Sequence, residues 1–238
     1  MSPELPVEKC LLFGSTGAVG KAIERRFREA ALEVWGVTRR ADNVGPRTVV
    51  WDPVGNSSGV PEELLGQAPF QAVCWAQGMN LNDSIHDFDP MSHRAMYEAN
   101  VIFIMSSLHA LLDARLLGQT SRLCILSSIW QNISRPNKLS YTVTKSALHG
   151  LVLSLVNDLG RDGHLINAVL PGALDTPMTR ANLTGEQVAA IEKATRYGRL
   201  ATLEDVANTV HFLCSAANTG LTGQFIKVDL GFSDVRVI

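Results

Sequence analysis

Short apolar runs alternate along the chain with longer stretches in which apolar residues return every three or four positions. The short runs read as strands: Lys9–Phe13, Glu33–Val37, Thr48–Trp51, Ala72–Trp75, Arg122–Leu126, Leu165–Leu170 and Gln224–Val228. Several, such as KCLLF and RLCIL, are almost continuously apolar, which suits a parallel strand covered on both faces. The longer stretches predict helices near 18–31, 61–67, 91–117, 140–161, 185–194 and 203–216. In the segment 140–161, Val143, Ala147, Leu148, Leu151, Leu155 and Leu159 fall at helical spacing. Thr202 precedes LEDVANTVHFL with Asp205 three residues on, the spacing of an N-cap with acidic support. Asp42–Pro61 is rich in Gly, Pro, Asn and Ser and reads mostly as loop around its strand. Strands that alternate with helices imply right-handed crossovers and a doubly wound α/β sheet. No repeat or shift in composition divides the 238 residues, so one domain over 1–238 is expected.

Composition narrows the function classes. With 46% hydrophobic and 18% charged residues the chain is neither disordered nor fibrous, and its net charge of −2 offers no basic footprint for nucleic acid. The cysteines at 10, 74, 124 and 214 form no CxxC pair. Cys10, Cys74 and Cys124 sit in apolar runs, where a thiol acts as a small hydrophobe. The six histidines make no HxxxH or HExxH pattern, so no metal site is expected. The start, MSPELPVEKC, lacks the basic opening and apolar core of a secretory signal, and the end, DVRVI, carries no lipidation motif. No unbroken apolar run approaches the ~18 residues that cross a bilayer. A cytoplasmic location is the expectation.

The first strand runs into a glycine-rich turn, LLFGSTGAVGKAIERRF. Gly14, Gly17 and Gly20, with Ser15, Thr16 and Val19 among them, lie between strand and helix. There, backbone N–H groups and a helix N-terminus can hold a pyrophosphate. The next strand ends in Thr38, Arg39 and Arg40 rather than the acid that would bind a ribose 2′-hydroxyl. A guanidinium can pair with a 2′-phosphate that a carboxylate would repel. NADP(H) is therefore favoured over NAD(H), with Arg39 the better placed arginine.

Tyr141 and Lys145 lie four apart and so share a helix face, while Ser127 and Ser128 end the preceding strand. A phenol with a pKa of about 10 is a poor base at neutral pH, but a neighbouring ammonium lowers that value. A serine hydroxyl can hold a substrate oxygen. YTVTK, with SS thirteen residues upstream of the tyrosine, resembles the YxxxK signature of the short-chain dehydrogenase/reductase family. The resemblance continues through Asp52 and Pro53 in VVWDP, Ala76, Gln77 and Gly78 in WAQGMN, and Asn100 in EANVIF. It runs on through Pro171, Gly172, Leu174 and Thr176 in NAVLPGALDTPM, and through LTGQFIKVDLGFS. Three positions depart from the family pattern. Ala18 replaces the middle glycine of the turn, Gln77 stands where a small residue is usual, and Leu230–Gly231 replaces a glycine pair.

The resemblance implies a Rossmann-type, doubly wound and mostly parallel seven-stranded sheet flanked by helices. It implies an oxidoreductase that interconverts a carbonyl and a secondary alcohol, with Tyr141 as acid or base. Lys145 would tune the tyrosine and hold the nicotinamide ribose, Ser128 would orient the carbonyl, with Ser127 the second candidate, and Asn100 would hold a relay water. Asp52 would bind the adenine amino group. Trp130 is a candidate substrate-pocket wall or packing residue, and Met178, Leu183, Met79 and Ile129 are weaker pocket candidates. The stretch 179–199 resembles a substrate lid. Relatives commonly form tetramers through the helices here at 91–117 and 140–161, so a homotetramer is expected, a dimer next. A nucleotide-binding sensor on the same fold, or an epimerase or dehydratase sharing the tyrosine and lysine, are the alternatives.

Overall fold

Successive side chains of a strand face opposite sides of a sheet, and here both sides are dry. Leu11 and Phe13 enter one core with Val73, Trp75, Leu123 and Ile125, while Cys10 and Leu12 enter another with Ala72, Cys74, Cys124 and Leu126. The computed structural model describes residues 8–55, 59–176, 179–180 and 183–235. Its strands are β1 (Lys9–Phe13), β2 (Glu33–Thr38), β3 (Thr48–Val50), β4 (Phe70–Trp75), β5 (Leu117–Leu126), β6 (Leu165–Pro171) and β7 (Phe225–Val228). All pair in parallel, in the order β3-β2-β1-β4-β5-β6-β7. The expected doubly wound sheet is present.

The helices are α1 (Ala18–Glu29), α2 (Glu62–Leu65), α3 (Pro90–Tyr97), α4 (Phe103–Asp113), α5 (Leu139–Leu159), α6 (Gly185–Lys193) and α7 (Leu203–Cys214). Phe103, Ile104, Leu108 and Leu111 of α4 join Leu148 and Val152 of α5 on one face. Ile23 and Phe27 of α1 join Val206, Val210 and Leu213 of α7 on the other. Fully burying one such side chain stabilises by about 1.5–3 kcal/mol, against about 0–1 kcal/mol for an exposed ion pair. The two apolar layers therefore decide the fold. All four cysteines lie in the α1/α7 layer. Burial pushes the Cys10 thiol up and raises Cys74 to about 11, which leaves both unreactive at neutral pH.

The helix ends show what local pattern reveals and what it hides. Thr202 and Asp205 form a reciprocal capping box, with Asp205 N donating to Thr202 Oγ1 at 3.1 Å and Thr202 N to Asp205 Oδ2 at 2.9 Å. Two expected helices instead stop early. The run 18–31 ends at Glu29 and the run 91–117 at Asp113, each in a left-handed residue that is not glycine: Ala31 at φ 60° and Arg115 at φ 54°. Leu32 N bonds Phe27 O and Leu116 N bonds Leu111 O, the six-to-one closure of a Schellman turn. Glycine is the usual marker of such a turn, and its absence conceals both stops. The run 91–117 is also broken internally by a π turn at Glu98–Ile102. Downstream, β5 begins at Leu117 rather than Arg122, with a register shift between Phe70 and Ala72 of β4.

By length and composition alone, the continuous helical run Pro90–Asp113 could cross a membrane, its best window having a mean hydropathy of 1.3. Half of that window is buried within the protein, as in a helix that covers a sheet.

Ala31 is exposed, and its left-handed conformation opposes the preference of an L-residue. Ala31→Gly is expected to stabilise by roughly 0.5–1 kcal/mol after the entropy gained by the unfolded chain is subtracted. Thermal denaturation should show a Tm higher by about 1–4 °C; an unchanged or lower Tm would contradict this account of the turn.

Candidate active site

In the observed strand order the chain leaves β1 and β4, which are neighbours, toward opposite edges of the sheet, and a crevice opens beyond their C-terminal ends. The glycine turn lies there. Gly14 has φ +76°, and a Cβ on it would stand 2.7 Å from the backbone nitrogen of Gln77. A Cβ on Gly20 would stand 2.1 Å from Gly14 O. These two glycines are demanded by the packing of α1 and β4 against the turn. Gly17 is different, because its Cβ would meet nothing nearer than Gly14 O at 3.5 Å. It is exposed at the N-cap of α1, with no side-chain cap on that helix.

Ser15 Oγ and both amide atoms of Gln77 are buried without a hydrogen-bond partner; Trp51 Nε1 is the remaining such atom among the described residues. Buried polar atoms are rarely left unpaired, so a cluster of them at the mouth of a crevice suits a polar ligand. An open helix N-terminus, a permissive Gly17 and the unpaired donors Ser15 Oγ and Gln77 Nε2 fit the pyrophosphate of a dinucleotide. Thr16 and Val19 are half-buried in the same turn.

At the end of β2, Thr38 is buried and accepts from Arg40 N at 3.2 Å. Arg40 pairs with Asp42 on the surface at 3.2 Å. The Arg39 guanidinium lies 5.8 Å from the Phe103 ring centroid and has no ion pair among the described residues. Asp52 Oδ1 accepts from Val54 N at 3.2 Å, and Pro53 is buried next to it.

The candidate catalytic residues converge on the first two turns of α5. Lys145 is 4% exposed, and its Nζ donates to Leu126 O at 2.9 Å and lies 5.7 Å from the Tyr141 ring centroid. Ser128 caps the short turn after β5, accepting from Trp130 N at 3.3 Å and donating to Pro171 O at 3.5 Å, and its hydroxyl acts on the Tyr141 phenol. Ser127 instead donates to Gln131 Oε1 at 2.8 Å, away from that group. Asn100 sits in the π turn, where its amide donates to Met79 O at 2.9 Å and Thr144 Oγ1 at 3.1 Å and accepts from Met79 N at 2.7 Å. A Cβ on Gly78 would lie 3.2 Å from Asn100 Oδ1 and 3.7 Å from Lys145 Nζ, so Ala76–Gly78 passes directly over the pair.

Pro171 ends β6, and Gly172 is pressed against Asp229, where an added Cβ would lie 2.8 Å from the Asp229 Cβ. Leu174 forms a bridge with Ala201, and Thr176 is buried, within 3.1 Å of Thr179 Oγ1. Trp130 is half-buried against the α4/α5 core, and Met79 and Leu183 are half-buried as well. Ile129, a weaker pocket candidate, is a core residue at 1% exposure. Met178 lies outside the described residues.

Burial dominates the electrostatics. It pushes the Tyr141 phenol up to about 12, opposed by the Ser128 hydrogen bond, and pulls Lys145 down to about 8. In the protein alone the phenol therefore lies above its ordinary value, opposite to the direction a neighbouring ammonium would give, because burial outweighs its neighbours. At neutral pH the arrangement is a protonated phenol beside an ammonium, which is the state of a proton donor.

Three further groups hold this site, and the sequence gives no local sign of two of them. Asp83 supplies the cap that α5 lacks: Leu139 N bonds its carbonyl at 3.2 Å, Ser140 N bonds Oδ1 at 3.0 Å, and Ser140 Oγ donates to Oδ2. His93 Nδ1 lies 2.8 Å from the same Ser140 Oγ. These partners are far apart in sequence, so only tertiary packing joins them. Lys138 could have been noticed, three residues before Tyr141 at the N-cap of α5.

The chain is similar in sequence and in fold to known proteins. A family model described as enoyl-(acyl carrier protein) reductase matches residues 69–233. An uncharacterized oxidoreductase, YmfI of Bacillus subtilis (strain 168), is 28% identical over 239 aligned residues, covering 93% of this chain and 97% of its own. The short-chain dehydrogenase RED2 of Pyricularia oryzae is 31% identical, covering 71% of this chain and 66% of its own. Among solved structures, a gluconate 5-dehydrogenase from Burkholderia cenocepacia J2315 in complex with NADP and tartrate superposes with a TM-score of 0.86. It is 20% identical and covers 98% of this chain and 97% of that one.

The Lys145 ammonium has one neutral hydrogen-bond partner among the described residues, so its burial is a liability. Its folded pKa of about 8 lies below the ordinary 10.5. Between those values the unfolded chain binds more protons, so this group's contribution to stability rises with pH across that window. Lys145→Met should therefore stabilise at pH 7 by about 1–3 kcal/mol, less what the unpaired Leu126 carbonyl costs, with the gain fading by about pH 10.5. Denaturant melts at both pH values check it; a variant less stable at pH 7 would refute it.

Proposed function

Since this chain belongs to the short-chain dehydrogenase/reductase family, we propose that it is an NADP(H)-dependent oxidoreductase using Ser128, Tyr141, Lys145 and Asn100. It is an enzyme of that family, an oxidoreductase acting on an alcohol or carbonyl group and using a nicotinamide nucleotide. The observation that carries the finer reading is the meeting of Tyr141, Ser128 and Lys145 beside the unpaired Gln77 and Ser15, at the open N-terminus of α1. When bound, the cofactor supplies hydride chemistry at a substrate carbon.

The residues do the rest. Ser128 donates to and polarises the carbonyl oxygen, and Tyr141, protonated at neutral pH, delivers the proton in reduction and receives it in oxidation. Lys145 stabilises the phenolate left behind and helps reprotonate it, since an ammonium near a developing anion is most valuable where water is excluded. Asn100 fixes the segment at Met79 and supports the relay that resupplies Lys145. Gly14, Gly17 and Gly20 hold the pyrophosphate, Asp52 the adenine amino group, and Pro171 to Thr176 the nicotinamide edge. NADP(H) is favoured because Arg39 follows β2 with no ion pair among the described residues, and the solved gluconate 5-dehydrogenase carries NADP. Trp130 walls the substrate side, 179–199 closes over it, and residues 1–238 act as one unit in the cytoplasm. A homotetramer, or failing that a dimer, would bury the exposed Met105, Val143 and Leu153 of α4 and α5; sedimentation at micromolar concentration tests it.

The decisive assay follows NADPH absorbance over a panel of ketones and aldehydes. Net NADPH consumption is expected, and Tyr141→Phe should lower it by roughly 10²–10⁴-fold. Turnover that survives Tyr141→Phe would sink the assigned mechanism, and cofactor binding without any net oxidation would favour a sensor or an epimerase. Arg39→Ala should raise the KM for NADPH by about 10–100-fold, the loss of one charge-assisted pair, and leave the KM for NADH unchanged. An equal effect on both cofactors would remove Arg39 from the 2′-phosphate.

A further inference from the structure

Two lysines approach the Tyr141 ring. Lys145 lies on the side of Asn100 and Gly78, the side assigned to the cofactor. Lys138 brings its Nζ to 5.3 Å from the centroid of the same ring, and it belongs to the loop that descends from Trp130. Lys138 is 3% exposed, and its Nζ donates to Asn80 Oδ1 at 2.6 Å and Leu81 O at 3.3 Å. Both partners are neutral, and one N–H remains. Arg135, on the same loop, is half-buried with its guanidinium 5.8 Å from the Trp130 ring centroid.

The two cations are close enough to disturb each other. Burial lowers Lys138 to about 8, Arg135 adds to the fall, and Asp83 opposes it. Asp83 has spent its carboxylate on Ser140 N and Oγ. Neither Lys138 nor Arg135 makes an ion pair with a carboxylate among the described residues. Two like charges three residues apart, with Asp83 already engaged and no ion pair to either among the described residues, are unfavourable in the protein by themselves. An incoming anion reverses that balance. The guanidinium presents a planar fork matched to a carboxylate or phosphate, and Lys138 adds positive potential behind it.

We infer that the carbonyl substrate carries an anionic group, a carboxylate or phosphate, held by Arg135 over the face of Trp130 with Lys138 behind it. The inference rests on the reading of Tyr141 as the proton donor and extends it to the substrate's far end. Lys138 is then a positioning residue, and Arg135 sets specificity.

Two matched pairs of substrates test this with NADPH as reductant: levulinate against its methyl ester, and dihydroxyacetone phosphate against dihydroxyacetone. Within at least one pair the charged member is expected to have the higher kcat/KM by tenfold or more, and which pair shows it separates carboxylate from phosphate. Arg135→Gln should lower the charged member's kcat/KM at least tenfold, mostly through KM, and leave the neutral member unchanged. Arg135→Lys should restore part of the loss. Equal use of both members, or an equal effect of Arg135→Gln on both, overturns the inference.

A binding measurement separates this inference from the catalytic reading. Malonate and inorganic phosphate are titrated into the NADPH complex of the wild type and of Arg135→Gln, and tryptophan fluorescence is followed. Saturable binding that Arg135→Gln abolishes upholds the anion site even if no carbonyl is turned over, an outcome that would count against Tyr141 alone. Absence of binding by either anion up to tens of millimolar overturns the anion site even where neutral ketones are reduced.

Discussion

A sheet sealed by helices on both faces has only its edges and strand ends left for polar chemistry. The central strands are committed to one apolar layer or the other, from Leu11 and Phe13 on one side to Cys10 and Leu12 on the other. The residues that must meet a ligand therefore gather at the C-terminal ends of the strands, where Gly14, Thr38, Gln77, Ser128 and Pro171 all occur. The crevice follows from the strand order, and the chemistry follows from the crevice. Gly14 and Gly20 make that geometry possible, because α1 and β4 both pack against backbone that no side chain could replace.

The site is built from groups that would be unfavourable anywhere else. Lys145 and Lys138 are both removed from water, and each has its pKa drawn down to about 8. The Tyr141 phenol is driven the other way by the same burial. Stability elsewhere sustains this arrangement, chiefly the two apolar layers and the capping of α5 by Asp83. Such concentrations of buried titratable groups are where function commonly resides, and here three of them, two lysines and a phenol, lie within the start of one helix.

The segment Met79–Asp83 connects these parts. Met79 holds Asn100, Asn80 and Leu81 hold Lys138, and Asp83 holds the start of α5. One short strap thus links the π turn to the helix that carries Tyr141. A change anywhere along it would be felt at the phenol through position rather than through contact.

Much of this was written in local pattern. The strands and helices fall where the apolar periodicity puts them, because burial on two faces leaves a continuous run and burial on one leaves a stripe. The capping box at Thr202, the glycine turn and the Tyr141–Lys145 pair were also legible, since each depends on residues within a few positions of one another. The helix stops at Ala31 and Arg115 were not, because a left-handed turn there uses no glycine. Nor were the π turn at Asn100, the capping of α5 by Asp83 or the meeting of His93 with Ser140, each of which joins residues some 20–60 positions apart. The direction of the Tyr141 shift belongs with these. Sequence showed which charges were neighbours, but how much water each would lose depends on what the whole chain packs around it, and that only the tertiary structure decides.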